Sequence, residues 1–141
     1  MIEAGRVRVR GNPAPKPSTL VAPEDPLSVE GPPARYVSRA GVKLEAAIEA
    51  FAIPVDGRTA IDIGASTGGF TDCLLQCGAA KVVALDVGYG QLHHRIRSDP
   101  RVVVVERTNV RHAEPASLGA PFEVVVADLS FISLALVAPQ I

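Results

Sequence analysis

Short aliphatic runs recur through the second half of the chain: Thr59 to Ile63, Lys81 to Asp86, Val102 to Glu106 and Glu123 to Asp128. Strands buried on both faces read as near-continuous apolar stretches of this kind, so each run predicts a strand inside a covered sheet. Between the first two, Phe70, Cys73, Leu74 and Cys77 fall at helical spacing from Gly69 to Cys77, and Gln91 to Arg97 predicts a short helix before the third. Upstream, Val42, Leu44, Ala47, Ile48 and Phe51 predict the apolar face of a helix that starts at Ala40 and stops before Pro54 and Gly57. Strands alternating with helices imply a doubly wound α/β fold of Rossmann-like type with about four parallel strands, ordered 3-2-1-4. In that order Val124 to Val126 form an outer strand, open unless a further strand covers it.

The first 43 residues follow another rule, because seven of the twelve prolines lie there and exclude a helical domain. Arg6-Val7-Arg8-Val9-Arg10 alternates and runs into Gly11-Asn12-Pro13, predicting a half-exposed strand and a turn. Thr19 to Ala22 and Leu27 to Val29 are candidates for two more strands. The organisation expected is a β-rich segment over 1–30, a linker over 31–39 around Gly31-Pro32-Pro33, and an α/β domain over 40–141.

Composition narrows the class. With 48% hydrophobic and 21% charged residues the chain is neither disordered nor fibrous, and no apolar run reaches the ~20 residues of a membrane span. Arginines occupy the N-terminus where a signal peptide needs apolar residues, which together with only two cysteines, Cys73 and Cys77, implies a soluble protein of the reducing cytoplasm. The net charge of −1 is unevenly spread: residues 1–43 carry seven Lys and Arg against four acids, and the remainder seven against eleven. A basic front is compatible with a polyanion such as RNA, and Arg6, Arg8 and Arg10 share one strand face by alternation. Phosphate tracking and a merely solvated face are both open for them. Cys73 and Cys77 with His93, His94 or His112 lack the paired spacing of a zinc site, so no metal is expected.

The chemistry concentrates in Asp62-Ile63-Gly64-Ala65-Ser66-Thr67-Gly68-Gly69-Phe70, a glycine-rich turn between a strand and a helix. Glycines there let a ligand approach the backbone. Asp86 ends the next strand 24 positions after Asp62, close to the spacing of the acid that takes a ribose hydroxyl in dinucleotide-binding folds. The Gly-x-x-x-Gly-Gly spacing departs from the dinucleotide fingerprint, and the Asp62 carboxylate would repel a pyrophosphate. S-adenosylmethionine, with a sulfonium and an ammonium, suits that charge. Asp62 as a plain cap of the turn is the competing reading. An NADP-type oxidoreductase is disfavoured by Asp62 and by the lack of a basic residue directly after Asp86.

Six blocks, Tyr36 to Leu44, Asp62 to Asp72, Asp86 to Leu92, Asp99 to Val102, Glu106 to Arg111 and Ala127 to Leu134, resemble the TlyA (haemolysin A) family. The family consists of FtsJ-like, S-adenosylmethionine-dependent 2′-O-methyltransferases of ribosomal RNA. The resemblance implies a cofactor site at Asp62, Gly64, Ser66, Gly68, Gly69, Asp86 and Asn109, and ribosomal RNA or ribosomal subunits as partners. It places the first lysine and the aspartate of a Lys-Asp-Lys-Glu tetrad at Lys43 and Asp128, the second lysine and the glutamate lying beyond Ile141. Gly5 to Val9 and Lys16 to Ser18 resemble the end of the family's S4-type RNA-binding domain, so both ends are expected to be truncated and the short chain inactive and poorly soluble. Arg6, Arg8, Arg10, Arg35 and Arg39 are the expected RNA contacts. A non-catalytic remnant that only binds RNA or the cofactor is the alternative. Membrane lysis, implied by the older family name, finds no amphipathic segment here.

A ribose 2′-hydroxyl is a poor nucleophile and must be polarised and held in line with the methyl group. In the resemblance Lys43 orients the hydroxyl, the second lysine is the base, and Asp128 pairs with the lysines. By position alone Lys43 also reads as a solvated helix lysine, whereas Asp128 at a strand C-terminus sits where ligands of such sheets bind.

Overall fold

In the computed structural model residues 2, 6–14, 16–32, 34–130 and 133–137 are described. The chain divides into two compact units, Met1–Ala34 and Arg35–Ile141.

In the first unit β1 (Val7–Val9) pairs antiparallel with β2 (Asn12–Pro13) on one side and β3 (Leu27–Val29) on the other. Arg10 and Gly11 have φ of 52° and 81° and form the two-residue hairpin turn whose twist suits an antiparallel pair. The expected arginine face is therefore corrected: only Arg8 lies within the strand, and Arg10 turns the corner. The expected strand Thr19–Ala22 is also absent, because local turns use its polar groups. Thr19 bonds Lys16 through both its backbone N–H and its hydroxyl, and the backbone N–H of Ala22 donates to the Asp25 carboxylate at 2.9 Å. Leu20 is left 97% exposed.

The second unit is built on a parallel sheet of four strands, β4 (Thr59–Ile63), β5 (Lys81–Leu85), β6 (Val102–Val105) and β7 (Val124–Ala127), in the order β6-β5-β4-β7. This is the doubly wound order expected from the pattern. Helices α1 (Arg39–Phe51), α2 (Gly69–Gln76), α3 (His94–Arg97) and α4 (Pro115–Leu118) connect the strands, with 3-10 turns at Val110–His112 and Leu134–Leu136. From Ser133 the chain makes the second of those turns, and residues 138–141 lie outside the described residues. No described helix is long and apolar enough to cross a membrane.

Strand parity divides the core into two layers. Ala60, Val82 and Ala84 point toward α1, α2 and α3 and pack with Leu44, Phe70, Leu74, Leu92 and Ile96. Ile61, Ile63, Val83 and Leu85 point the other way, onto Val110 and Val137. Helix α2 is buried from Gly69 to Leu75, held between α1 and the sheet. The glycines permit this approach: a Cβ on Gly69 would strike the Ser38 hydroxyl, and one on Gly41 would strike the Tyr36 ring.

The apolar face of α1 differs from the expected stripe. Gly41 and Leu44 are buried and Ile48 partly so, while Val42 and Phe51 are 56% and 77% exposed. The helix packs chiefly against α2, so a narrow stripe suffices. Leu44→Ala is therefore expected to destabilise the chain by about 2–5 kcal/mol, whereas Phe51→Ser should stay within about 0.5 kcal/mol. Urea unfolding followed by circular dichroism checks the pair, and equal losses would restore the broader face.

Candidate functional site

At the C-terminal edge of the sheet the chain leaves β4 toward β5 on one side, while β7 lies on the other, which is where open α/β sheets place their ligand crevice. The glycine turn after β4 occupies that crevice. Gly64, Ser66 and Gly68 have φ of 86°, 49° and 92°, so the backbone is left-handed three times in five residues. A Cβ on Gly64 would sit 2.8 Å from the Asp128 carbonyl oxygen and 3.0 Å from a Leu129 methyl. The bare glycine keeps the opening between β4 and β7 clear.

Asp86 joins this turn to the next one. Its Oδ2 accepts the Ser66 N–H and its Oδ1 the Gly88 N–H, both at 2.7 Å. The Ser66 hydroxyl faces Gln91 Oε1 at 3.4 Å, and the His93 N–H donates to the Thr67 carbonyl at 3.1 Å. Asn109 caps its own 3-10 turn by accepting the Arg111 N–H at 3.0 Å. Around these residues lies a cavity of about 530 Å³, within the usual range of small-molecule sites. Its apolar surface comes from Ile63, Leu85, Val87, Val110 and Leu129, and its polar groups from Ser66, Asp86, Gln91, Thr108, Asn109, Asp128 and Ser130. Sequence reasoning missed Val87, Gln91, Thr108, Leu129 and Ser130; all but Leu129 and Ser130 sit on the loops that follow β5 and β6.

Asp62 is placed differently from Asp86 and Asp128. By parity its side chain points to the α2 layer, and it is fully buried without lining the cavity. Its Oδ2 accepts both the backbone N–H of Thr71, at 2.9 Å, and the Thr71 hydroxyl, at 2.7 Å; its Oδ1 is buried with no partner. The capping reading thus describes one oxygen and leaves the other free. Burial pushes the Asp62 carboxyl up to about 6, the Thr71 hydrogen bonds opposing the rise and the charges of Asp86 and Asp128 adding to it.

That arrangement tests which ligand fits. The first-turn amide of Thr71, which would face a phosphate at a helix N-terminus, is already taken by Asp62. No lysine, arginine or histidine lines the cavity among the described residues, and two carboxylates do. A pyrophosphate would be repelled, whereas a ligand with a sulfonium and an ammonium would meet favourable charge. The donor set fits S-adenosylmethionine, with Asp86 available to ribose hydroxyls and Asn109 and Val87 beside the remaining cavity.

Lys43 and Asp128 meet across 85 positions of sequence, with Nζ 3.0 Å from Oδ1. Ser38 begins α1 by accepting the Ala40 N–H at 3.3 Å, and the packing of α1 on α2 carries Lys43 over the Phe70 ring, 5.7 Å from its centroid. The two side chains are 66% and 44% exposed, so the pair adds roughly 0–1 kcal/mol to stability. Asp128 lines both the main cavity and a smaller one of about 230 Å³ formed with Ser38, Ser66, Phe70 and Ser130. One carboxylate therefore borders a cofactor-sized space and a second space next to it.

The expected RNA contacts are mostly engaged. Arg8 bonds Glu30 and Arg10 bonds Asp25, both at 2.5 Å, and these guanidiniums hold both carboxyls below the ordinary range. Arg35 pairs with Glu45 and lies over the Tyr36 ring. Arg39 is exposed, and no ion pair among the described residues uses it. No cluster of His, Cys, Asp and Glu among the described residues could hold a metal ion.

Comparison with known proteins agrees with this geometry. A family model described as FtsJ-like methyltransferase matches residues 36–141. The chain is 56% identical over 142 residues, its whole length and 53% of the relative's, to the protein of Mycobacterium tuberculosis named 16S/23S rRNA (cytidine-2'-O)-methyltransferase TlyA. A solved structure from Streptococcus thermophilus, named for hemolysin, superposes with a TM-score of 0.80 at 43% identity, covering 99% of this chain and 52% of that one. Another named for hemolysin, from Lactococcus lactis, gives 0.73 at 52% identity, covering 75% and 51%. The chain spans about half the length of the curated relatives it matches.

The buried Asp62 carboxyl has a measurable signature. The folded chain keeps its proton up to about pH 6 while the unfolded chain releases it near the ordinary 3.8, so stability falls as pH rises through that window. The loss amounts to on the order of 3 kcal/mol. Asp62→Asn should remove that slope, as read from urea midpoints between pH 4 and 6.5. An unchanged slope would place the titration on another group.

Proposed function

The chain belongs to the FtsJ-like methyltransferases, and from that premise we propose that it serves S-adenosylmethionine-dependent methylation of ribose 2′-hydroxyls in ribosomal RNA, acting in the cytoplasm. The observation that carries the reading is Asp128 on the shared rim of the two cavities, with Lys43 bonded to it. When bound, the cofactor supplies an electrophilic methyl group on sulfur. Making the ribose 2′-hydroxyl a nucleophile toward that methyl group would require its proton to leave to a base. Lys43 orients the hydroxyl by donating to its oxygen, and Asp128 keeps the ammonium at the rim. The family resemblance gives proton removal to a second lysine. Asp86, with both oxygens already oriented by backbone amides, accepts from the cofactor ribose, and the free Asp62 oxygen with its neighbouring carboxylates favours the cationic end.

The RNA partner is supported by the name of the Mycobacterium relative and by the arginines of the first unit, which we read as part of an S4-type RNA-binding domain. Since Glu30 and Asp25 hold Arg8 and Arg10, these two contact phosphate only by sharing or leaving their carboxylates. Arg6 and Arg39 have no such competitor among the described ion pairs.

Three measurements test the proposal. Calorimetry should detect S-adenosylhomocysteine and not NADPH, and Asp86→Ala should weaken the former at least tenfold, about 1.4 kcal/mol; equal heats would remove Asp86 from the site. In a chain extended to the length of its relatives, so that the second lysine is present, transfer of labelled methyl to ribosomal subunits should fall about a hundredfold in Lys43→Ala with cofactor affinity unchanged, the loss expected of orientation. In a filter-binding salt titration, the triple change of Arg6, Arg8 and Arg10 to Ala should reduce the slope by less than the ~2.7 expected for three free phosphate contacts. An unaltered slope would make all three solvated residues.

A further inference from the structure

The loop from Asp86 to Gln91 forms one wall of the main cavity yet has little apolar packing of its own, Tyr89 being covered by the Arg107 guanidinium 4.1 Å from its ring centroid. Val87 and Tyr89 are each 68% exposed, and Gly88 and Gly90 leave the backbone free. Apolar burial cannot set the conformation of such a segment, and glycine gives it the largest entropy to lose on ordering. Its shape rests on polar ties. At the near end Asp86 accepts the Gly88 N–H; in the middle the Gly88 carbonyl accepts the Arg107 N–H at 3.0 Å; at the far end the Gly90 N–H donates to Glu106 Oε1 at 2.9 Å. The same Glu106 oxygen accepts from Arg97 at the end of α3. Glu106 directly follows β6, and its side chain is 13% exposed, while Gly90 and Arg97 reach it from the solvent side.

We propose that Glu106 is a positioning residue of the cofactor site: with Arg97 it pins Gly90, and through Gly90 and Gly88 it holds Asp86, Val87 and Gln91 in the geometry that lines the cavity. The inference rests on the cofactor reading above. Glu106 does not line the cavity itself, so it acts by sparing the ligand the ordering of the loop. Arg97 keeps the carboxylate charge compensated, and its position on α3 links the clamp to His93, which bonds the Thr67 carbonyl of the glycine turn. The two loops that flank the cofactor are thereby tied at both ends.

The test uses the full chain and the variants Glu106→Ala and Glu106→Gln. Hydrogen exchange at the Gly90 amide should quicken about tenfold or more in Glu106→Ala, while amides of β4 and β5 keep their protection. S-adenosylhomocysteine affinity by calorimetry should fall about tenfold, with the thermal midpoint little changed. Glu106→Gln retains an acceptor for Gly90 and loses the ion pair, so it should fall between wild type and Glu106→Ala; if the alanine variant does not fold, the glutamine variant decides. Gly90 exchange and ligand affinity both at wild-type values would overturn the proposal, as would a loss of affinity that tracks loss of β4 and β5 protection. Failure of the wild-type chain to bind S-adenosylhomocysteine would instead defeat the cofactor reading, and the Gly90 exchange would still decide the clamp.

Discussion

Two backbone amides ending on one carboxylate organise the whole C-terminal edge of the sheet. Ser66 belongs to the turn after β4 and Gly88 to the turn after β5, and Asp86 takes both N–H groups at 2.7 Å, one on each oxygen. A carboxylate bonded in this way is fixed in orientation and keeps its remaining lone pairs aimed outward. The strained φ of Ser66 is sustained because its amide has no better partner than Asp86. Release that carboxylate and both turns lose their common reference, although the four strands beneath would still pair.

Charge then selects the ligand. Asp62, Asp86 and Asp128 stand near one turn, and the Asp62 carboxyl rises partly because the other two are charged. Like charges brought together without a cation are unfavourable, and among the described residues the cation that meets them is Lys43, engaged with Asp128. A cationic ligand relieves the remaining repulsion. The helix that might have welcomed an anion has its Thr71 amide occupied by Asp62, so the residue that excludes phosphate does so twice, by its charge and by the donor it consumes.

Much of this was legible in the pattern, for physical reasons that differ between elements. The strands were readable because burial on both faces leaves long aliphatic runs, and Asp86 and Asp128 because a strand must end where its apolar run does. Helix α1 departs from its pattern, since Val42 and Phe51 are apolar and exposed; it packs chiefly against α2, so a stripe of Gly41, Leu44 and Ile48 is enough. The alternation of Arg6, Arg8 and Arg10 concealed a turn, which positive φ at Arg10 and Gly11 makes and no periodicity records. Asp62 did carry its own signal: it shares parity with Ala60 and must face α2, while Ile63 faces the cavity. Glu106 could not be found this way, because its partners Gly90 and Arg97 are 16 and 9 positions off, one on a loop and one at the end of α3.

The Lys43–Asp128 pair separates what folds the chain from what the chain is for. As an exposed ion pair it contributes little to stability, and neither partner is needed to fill the core. Yet its geometry demands everything beneath it: the Ser38 cap that starts α1, the glycines that let α1 lie close on α2, and the pairing of β7 with β4 that brings Asp128 beside Gly64. Residues that stabilise a fold are found where burial is greatest. This pair sits where burial ends, at the rim shared by two cavities, held in register by packing to which it adds almost nothing. Such a placement is costly to maintain and useless to folding, which is why the rim, and not either cavity alone, carries the functional argument.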